Sequence, residues 1–230
     1  MISIIIPTYN EGTKVATTIT NLLGGNDNEN ISEIIIADGG STDNTLEIAK
    51  NLFVKTIIIG EKKRAAQLNA GASIAIGEIL FFLHADSIPP PGYSKKIIKA
   101  VNNNFYSGCF RLSFDYDHWF LKANAWFTRF DVNAVRFGDQ GLFITREAFL
   151  KSGGYKEELF IMEDQEIIHR LKRISTFKVI DGYVKTSARK YITNGIYKTQ
   201  GTFFIIWLLY YLGMPQKRLL RLYRKMIRQN

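Results

Sequence analysis

Two polar residues, His84 and Asp86, directly follow an apolar run that is too short for a typical helix. The run, residues 79–83, is unbroken and rich in aromatic residues, which predicts a strand buried on both faces. Open α/β sheets bind ligands at the carboxyl ends of such strands. The Asp86 carboxylate is a hard ligand for Mg²⁺ or Mn²⁺, ions that proteins commonly hold together with substrate phosphates. The stretch therefore predicts a metal site, with capping of the next helix as the alternative role for Asp86.

Charged residues follow the three earlier predicted strands as well. Glu11 follows the first strand, Asp38 follows the second, and a basic cluster at residues 62–64 follows the third. The carboxylates can accept hydrogen bonds from a ribose or a base, and Arg64 can bind phosphate in a bidentate manner. These residues predict an anionic, nucleotide-like ligand; a solvated basic loop is the alternative for residues 62–64.

A pair of acidic residues, Glu163 and Asp164, stands at the start of a predicted helix that runs to about Ile174. A carboxylate at such a junction can face a cleft and take a proton from an acceptor hydroxyl, so Asp164 is the candidate general base. The alternative is an ordinary acidic first turn, which the helix dipole favours.

Two later stretches are candidates for binding the acceptor or a phosphate. Asp139 and Gln140 lie between two glycines ahead of a short predicted strand. Arg189 lies in a predicted basic loop, residues 187–191, that could grip a phosphate group.

The elements that must position these residues alternate between strands and helices. Strands are predicted at 2–6, 33–37, 54–59, 79–83 and 108–114, with an edge strand at 176–180, and helices at 14–23, 44–52, 65–76, 93–103, 118–129, 162–174 and 216–229. This alternation predicts an α/β fold with a doubly wound, mostly parallel sheet whose polar loops share one edge. The first strand lacks a GxGxxG loop, which argues against a dinucleotide-binding fold.

Length and cysteine content limit the class of protein. A chain of 230 residues can bury a substantial core and is most simply one domain with extensions. Its single cysteine, Cys109, excludes an intrachain disulfide, and no Cys/His cluster has zinc-site spacing. The N-terminus shows no secretory signal. Together these features predict a cytoplasmic protein.

The net charge of +9 is concentrated at the C-terminal end. All 21 acidic residues lie at or before Asp181, and 10 of the 30 basic residues follow it. This asymmetry argues against a nucleic-acid-binding protein and predicts a tail that faces phosphates or lipid. The predicted helix 216–229 is amphipathic and could lie on the inner face of an anionic membrane. Packing on its own domain or on a second subunit, as in a homodimer, is the alternative. The apolar run at 203–212 is about half the length that a spanning helix needs.

Five motifs, in order, resemble family 2 glycosyltransferases of the GT-A fold: IIIPTYNEG, IIIADGGSTDNT, RAAQLNAG, LHAD and the Glu163-Asp164 pair. The match covers most of residues 1–175, so we expect a GT-A domain at 1–200 and a helical extension at 201–230. The resemblance implies inverting transfer of a sugar from a nucleotide-diphosphate donor, expected to be a UDP-sugar, to a hydroxyl acceptor.

The resemblance also implies roles for individual residues. It assigns the base and ribose to Pro7, Thr8, Glu11 and Asp38, the diphosphate to Arg64, an Mn²⁺ or Mg²⁺ ion to Asp86, and the general base to Asp164. The chain further resembles a subgroup of small bacterial members that share the LHAD, GDQG and SAR motifs, some of which are assigned to arsenosugar biosynthesis.

Two departures from the family pattern matter. His84 replaces the usual first carboxylate of the metal motif, which leaves Asp86 as the acidic ligand. The QxxRW motif of processive synthases is absent, since the helix reads QEIIHRL after Asp164, so we expect non-processive transfer.

Three other functions stay open. A nucleotidyltransferase would need a glycine-rich, basic loop after the first strand, and here that loop is acidic. A non-catalytic nucleotide-sugar binding module would fit the single metal carboxylate. Transfer to a polyprenyl phosphate would fit the basic tail.

Overall fold

The computed structural model of the protein describes residues 1–24, 27–52 and 54–228. Its strands are β1 (Ile2–Thr8), β2 (Ile31–Asp38), β3 (Lys55–Ile58), β4 (Ile79–Phe82), β5 (Ser87–Ile88), β6 (Ser107–Phe114), β7 (Leu142–Thr145) and β8 (Phe177–Thr186). Its helices are α1 (Gly12–Leu23), α2 (Thr45–Asn51), α3 (Arg64–Ile74), α4 (Tyr93–Asn102), α5 (Trp119–Phe127), α6 (Arg146–Ser152), α7 (Glu163–Ile174), α8 (Arg189–Asn194), α9 (Ile196–Tyr211) and α10 (Gln216–Met226). The last residue of the predicted helix 216–229 lies outside the described residues.

The strands form one eight-stranded sheet in the order β3-β2-β1-β4-β7-β6-β8-β5. The pairs β1/β2, β1/β4, β2/β3 and β6/β8 are parallel, whereas β4/β7, β6/β7 and β5/β8 are antiparallel. The predicted α/β fold with a mostly parallel sheet is therefore confirmed. Because β1, β2 and β4 are parallel neighbours, the loops that follow them meet at one edge of the sheet.

The central strands are buried on both faces, which explains their continuous apolar sequences. Ile4 and Ile6 of β1 pack into a core with helices α1, α2 and α4, and Ile5 packs into a second core with α3, α6 and α7. This alternation follows the two-residue period of a strand. The two cores hold the strand ends rigidly on either side of the polar edge.

Strand β8 and helix α8 correct two sequence predictions. The strand expected to end at Ile180 as an edge strand continues to Thr186 and lies between β6 and β5. It continues through a bulge, because β8 holds extra residues opposite the Cys109–Arg111 stretch of β6 and Gly182 within them adopts a φ of +120°, so the Asp181-Gly182 pair does not form a turn. The predicted basic loop 187–191 is wrong from Arg189 onward, because α8 begins there and packs Tyr191 against Phe114.

The C-terminal helices fold back onto the sheet domain. The predicted boundary between residues 200 and 201 falls within α9, which begins at Ile196. Leu219 and Ile227 are fully buried, and Tyr223 stacks on Phe203 with ring centroids 6.3 Å apart. The apolar face of α10 thus packs on its own domain. No helix within the described ranges is long and apolar enough to cross a membrane.

Candidate functional site

A cavity of about 690 Å³ opens at the C-terminal ends of β1 and β4. The predicted site residues in its wall are Pro7, Thr8, Glu11, Arg64, Asp86, Asp139, Glu163, Asp164 and Arg189. Two predicted site residues, Asp38 and Gln140, do not line it. The parallel strands therefore gather most of the polar residues that the sequence indicated.

Asp38 holds a loop rather than facing the cavity. Its carboxylate is fully buried and accepts hydrogen bonds from Thr8 Oγ1 at 2.7 Å and Ser41 Oγ at 2.6 Å. It also accepts from the backbone N–H groups of Gly40 and Ser41, at 2.9 and 2.7 Å. Gly40 has a φ of +87°, a conformation that glycine adopts without steric cost and that closes the loop around the carboxylate. Asp38 thereby fixes the position of Thr8, which does line the cavity.

Gln140 braces the turn that carries Asp139. It is fully buried, its Oε1 accepts from Arg136 Nη1 at 2.6 Å, and its Nε2 donates to the carbonyl of Val135 at 2.6 Å. Arg136 is itself fully buried. It was not predicted, because a lone arginine in a loop carries no periodic or motif signal. The neighbouring Cys109 is also buried, which raises the pKa of its thiol to about 11.

Arg64 joins the start of α3 to the start of α7. Its Nε lies 3.2 Å from Oε1 of Glu163, and its Nη2 forms an ion pair with Asp164. Burial alone would lower the pKa of Arg64, but the charges of Asp164 and Glu163 raise it above its ordinary value. The guanidinium is therefore a fixed positive charge. Gly138 packs against this pair, and a Cβ at that position would overlap both Arg64 and Asp164.

Two carboxyl groups in the cavity have raised pKa values. Burial raises the pKa of Glu163 to about 7, against the opposing effect of Arg64. Burial likewise raises the pKa of Asp139 to about 6, again opposed by Arg64. Acid groups that titrate near neutrality cluster at functional sites more often than elsewhere. Since these groups surround a single guanidinium, a bound anion would compete with them for it.

A second set of charges lies at the first loop. Glu11 accepts from Arg189 Nη2 at 3.3 Å, which links α8 to the end of β1. Lys14 Nζ lies 3.7 Å from Glu11 and 3.8 Å from Asp86, so it bridges two of the predicted residues. Lys62 Nζ lies 4.0 Å from the ring centroid of Tyr9. Arg189 therefore lines the cavity from the start of helix α8.

His84 and Asp86 fit a metal ion that is completed by a bound ligand. Both side chains line the cavity, and the Nε2 atom of His84 is shielded from solvent without a hydrogen-bond partner in the described part of the chain. Burial, with Arg64 and Lys190 nearby, lowers the pKa of His84 well below 6.5, so its imidazole is neutral. Among the described residues, no group of three or more His, Cys, Asp and Glu side chains could hold a metal. An ion here would need substrate oxygens, a common arrangement for Mg²⁺ at phosphates.

The far wall of the cavity comes from α9 and α10. Its lining residues include Phe203, Trp207, Tyr223, Arg224 and Arg228. The sequence indicated that the tail was basic and amphipathic but not that it would cover the site. An amphipathic pattern alone does not identify the surface onto which the helix packs.

Comparisons with known proteins are consistent with this geometry. An uncharacterised glycosyltransferase of Nostoc sp. is 31% identical over 109 residues, which cover 45% of this chain and 33% of the relative. A Methanococcus voltae protein named dolichyl N-acetyl-alpha-D-glucosaminyl phosphate 3-beta-D-2,3-diacetamido-2,3-dideoxy-beta-D-glucuronosyltransferase is 33% identical over 106 residues, covering 43% of this chain and 33% of its own. The chain thus spans about a third of the length of these two curated relatives.

Two solved structures share the fold. The mannosyltransferase PcManGT of Pyrobaculum calidifontis, in complex with GDP-Man and Mn²⁺, has a TM-score of 0.71 at 14% identity and covers 98% of this chain and 69% of its own. S. aureus TarS 1–349, in complex with UDP-GlcNAc, has a TM-score of 0.65 at 15% identity and covers 81% of this chain and 58% of its own. These likenesses confirm the predicted GT-A type of fold. The family model "Glycosyl transferase family 2" matches residues 3–156, which is more than half of the chain, and the protein therefore belongs to glycosyl transferase family 2.

Proposed function

We propose that the protein transfers a sugar from a nucleotide-diphosphate donor to a hydroxyl group of an acceptor, non-processively and with inversion at the anomeric carbon. The observation that carries this proposal is that fixed cations and carboxylates converge in one cavity at the ends of β1 and β4. Cations can hold the diphosphate, and a carboxylate can take the acceptor's proton. Family membership supports the reaction class.

The nucleoside binds along the first loop in this proposal. Pro7, Thr8 and Glu11 line that side of the cavity, and Asp38 holds Thr8 in place from behind. A UDP-sugar is the proposed donor. The TarS structure in complex with UDP-GlcNAc supports it, and the PcManGT complex with GDP-Man makes GDP the other nucleotide to test.

The diphosphate is a poor leaving group until its charge is neutralised. Arg64, Lys62 and Arg189 line the cavity and supply positive charge that can neutralise it. In the structure Arg64 is paired with Glu163 and Asp164. A bound diphosphate would draw the guanidinium away from these carboxylates.

Asp86 is the proposed carboxylate ligand of a divalent ion, Mn²⁺ or Mg²⁺. Such an ion neutralises charge that develops on the departing diphosphate. The PcManGT complex with Mn²⁺ supports the assignment.

Asp164 is the proposed general base. Its carboxylate lines the cavity and is paired with Arg64, so a diphosphate that bound Arg64 would release it to accept the proton of an acceptor hydroxyl. Asp139 lies beside it as a candidate acceptor contact, and Gln140 supports the Asp139 turn from the core. Direct attack of the hydroxyl opposite the leaving diphosphate inverts the anomeric carbon.

A donor screen tests this function. The full chain is incubated with a panel of UDP- and GDP-sugars and Mn²⁺, and release of the nucleoside diphosphate is followed with and without simple alcohol or sugar acceptors. We expect at least one donor to be turned over, with slow hydrolysis in water alone. Binding of a nucleotide sugar with no turnover under any condition would favour the non-catalytic binding module instead.

A second proposal concerns the acceptor and the membrane. Phe204, Leu208 and Tyr211 of α9 are between 41% and 60% exposed, on the helix that forms the far wall of the cavity. Arg218 and Arg221 of α10, which packs on α9, are exposed as well. Exposed aromatic and basic residues suit an anionic bilayer. We infer that the acceptor is lipid-linked and that this face rests on the cytoplasmic side of a membrane; the name of the M. voltae relative supports a lipid-phosphate acceptor.

The same exposed face could instead pair with a second copy of the chain. The mass of the protein in solution tests for a dimer, and co-sedimentation with anionic vesicles tests for membrane binding. The resemblance to the small bacterial subgroup with LHAD and GDQG motifs stays a prediction. It does not identify the transferred sugar, which the donor screen would identify.

A further inference from the structure

Four residues of the cavity wall, Arg64, His84, Gln165 and Trp207, each carry a nitrogen that is shielded from solvent and has no hydrogen-bond partner among the described residues. Three of these nitrogens are N–H donors without a free lone pair, and the fourth, Nε2 of His84, is an imidazole nitrogen that can offer one. Nε2 of His84 makes no hydrogen bond to any described residue and has almost no exposed surface. Buried polar atoms in native proteins are normally satisfied, and leaving one unsatisfied costs about 1–3 kcal/mol. An orphan atom of this kind in a cavity wall indicates that its partner arrives with a ligand.

The position of His84 limits which ligand atom that partner can be. The residue directly follows the fully buried Leu83 at the end of β4, so the backbone that carries the ring is fixed. Asp86 follows two residues later and lines the same cavity. Arg64, Lys62 and Arg189 already offer hydrogen-bond donors to a diphosphate, whereas Asp86 alone is a minimal protein ligand set for an ion. The imidazole nitrogen of His84 would give such an ion a second protein ligand beside Asp86.

We propose that Nε2 of His84 is the second protein ligand, beside the Asp86 carboxylate, of the divalent ion that binds with the nucleotide diphosphate. This inference rests on the proposed function. Mg²⁺ prefers an all-oxygen octahedral shell, whereas imidazole nitrogen suits transition-metal ions. The mixed nitrogen and oxygen set accordingly makes the site favour Mn²⁺ and Co²⁺ over Mg²⁺. The histidine at position 84, where the family usually has a carboxylate, would then change the metal preference of the site without abolishing metal binding.

Pulsed electron paramagnetic resonance of Mn²⁺ tests the ligand assignment directly. The full chain is mixed with Mn²⁺ and UDP, and the spectrum is examined for coupling to a directly bound ¹⁴N nucleus. We expect the coupling in the wild type, its replacement by ¹⁵N coupling in protein labelled with ¹⁵N-histidine, and its loss in His84→Asn. His169→Asn, which alters an exposed histidine outside the cavity, should keep the coupling. The labelled wild type shows whether a histidine nitrogen binds Mn²⁺ even if His84→Asn does not fold.

Calorimetry tests the metal preference. We expect UDP to bind more tightly with Co²⁺ or Mn²⁺ than with Mg²⁺, and His84→Asp to reduce that ratio by about tenfold or more, in the range that ligand-shell changes produce. Mn²⁺ that binds with UDP but shows no histidine nitrogen coupling would overturn the inference. Metal-independent UDP binding would also overturn it while leaving the proposed function intact. A wild type that binds neither UDP nor GDP would defeat the proposed function itself.

Discussion

At the scale of single residues, the site is organised around one guanidinium. Arg64 lies 3.2 Å from Glu163 and is paired with Asp164, so the cation proposed for the diphosphate and the carboxylate proposed as base neutralise each other. The pair is partly buried, with 33% of the Arg64 side chain and 13% of the Asp164 side chain exposed. The arrangement couples the two roles: a donor phosphate that attracts Arg64 also frees Asp164.

Replacement of the proposed base gives the first prediction. Asp164→Asn keeps the shape of the side chain but cannot accept a proton, so we expect turnover to fall by about 10²-fold or more. UDP affinity should stay within a few-fold, because the phosphates contact the cations. Steady-state kinetics and calorimetry measure the two quantities, with the exposed Glu147→Gln as control. Full activity in Asp164→Asn together with loss in Glu163→Gln would transfer the role to Glu163.

Asp139 gives a prediction about pH. Its pKa is raised from 3.8 to about 6 by burial, so the folded state holds the proton more tightly than the unfolded chain does. The stability that this supplies is fully present below about pH 4 and is lost as the pH rises through about 6. At pH 8 the ionised carboxylate therefore costs stability, up to about 3 kcal/mol for a shift of this size.

Asp139→Asn removes that cost. We expect the variant to melt at a higher temperature than the wild type at pH 8 and the advantage to shrink to nothing toward pH 4. Thermal unfolding at several pH values measures the difference. An advantage that is constant across the range would show that the carboxyl group of Asp139 is not forced to stay protonated by its surroundings.

At the scale of elements, the predicted strands and helices largely match the structure, because strand and helix periods are local signals. The exceptions are those that depend on distant partners. β8 passes through Gly182 because it forms a bulge there while staying paired with β6 on both sides, which no local pattern reveals. The docking of α10 was also open, since an apolar stripe with basic flanks fits a membrane and a protein surface equally well. Only the burial of Leu219 and Ile227 distinguishes the two.

The packing of α10 can be tested by unfolding. Leu219 is fully buried, so Leu219→Ala should lower the free energy of unfolding by about 2–4 kcal/mol, the usual cost of a cavity in a core. The exposed Lys225→Ala on the same helix should change it little. Denaturant titration of both variants gives the numbers. Equal stability would mean that α10 does not pack on the domain in solution.

The membrane proposal belongs to the same element. The exposed Arg218 and Arg221 should each add about 1 kcal/mol to the binding of anionic vesicles, so the double change to Gln should weaken binding by about tenfold or more. Lys95→Gln with Lys99→Gln removes the same charge from exposed positions on α4 and should have little effect. Vesicle co-sedimentation at low and high salt measures both. If the wild type does not bind anionic vesicles at low salt, the membrane proposal is wrong and a protein partner for the exposed face is favoured.

At the scale of the whole molecule, the sheet and the C-terminal helices form different walls of the cavity. The parallel strands bring motif residues from distant parts of the chain to one edge, and the basic helices α8 and α10 close over them. Motif positions such as Glu11 and Arg64 could be predicted because the loops that follow parallel strands share an edge. Asp164 could be predicted from the acidic pair at the start of a helix. Asp38 and Gln140, which hold loops from inside the protein, could not be distinguished from ligand-binding residues by sequence, because both are polar residues at turns. Their complete burial shows that they support the loops and do not line the cavity.

The most direct test of the account is the affinity for UDP, or for GDP if UDP does not bind, measured by calorimetry with Mn²⁺. The exposed Lys62 and Arg189 line the cavity, and their combined change to Gln should weaken binding by at least about tenfold, since a charge-assisted hydrogen bond contributes about 1.5–3 kcal/mol. The same change of charge at Lys122 and Lys151, outside the cavity, should leave affinity within about twofold. Unchanged affinity in the cavity variant, or a wild type that binds neither nucleotide, would contradict the account.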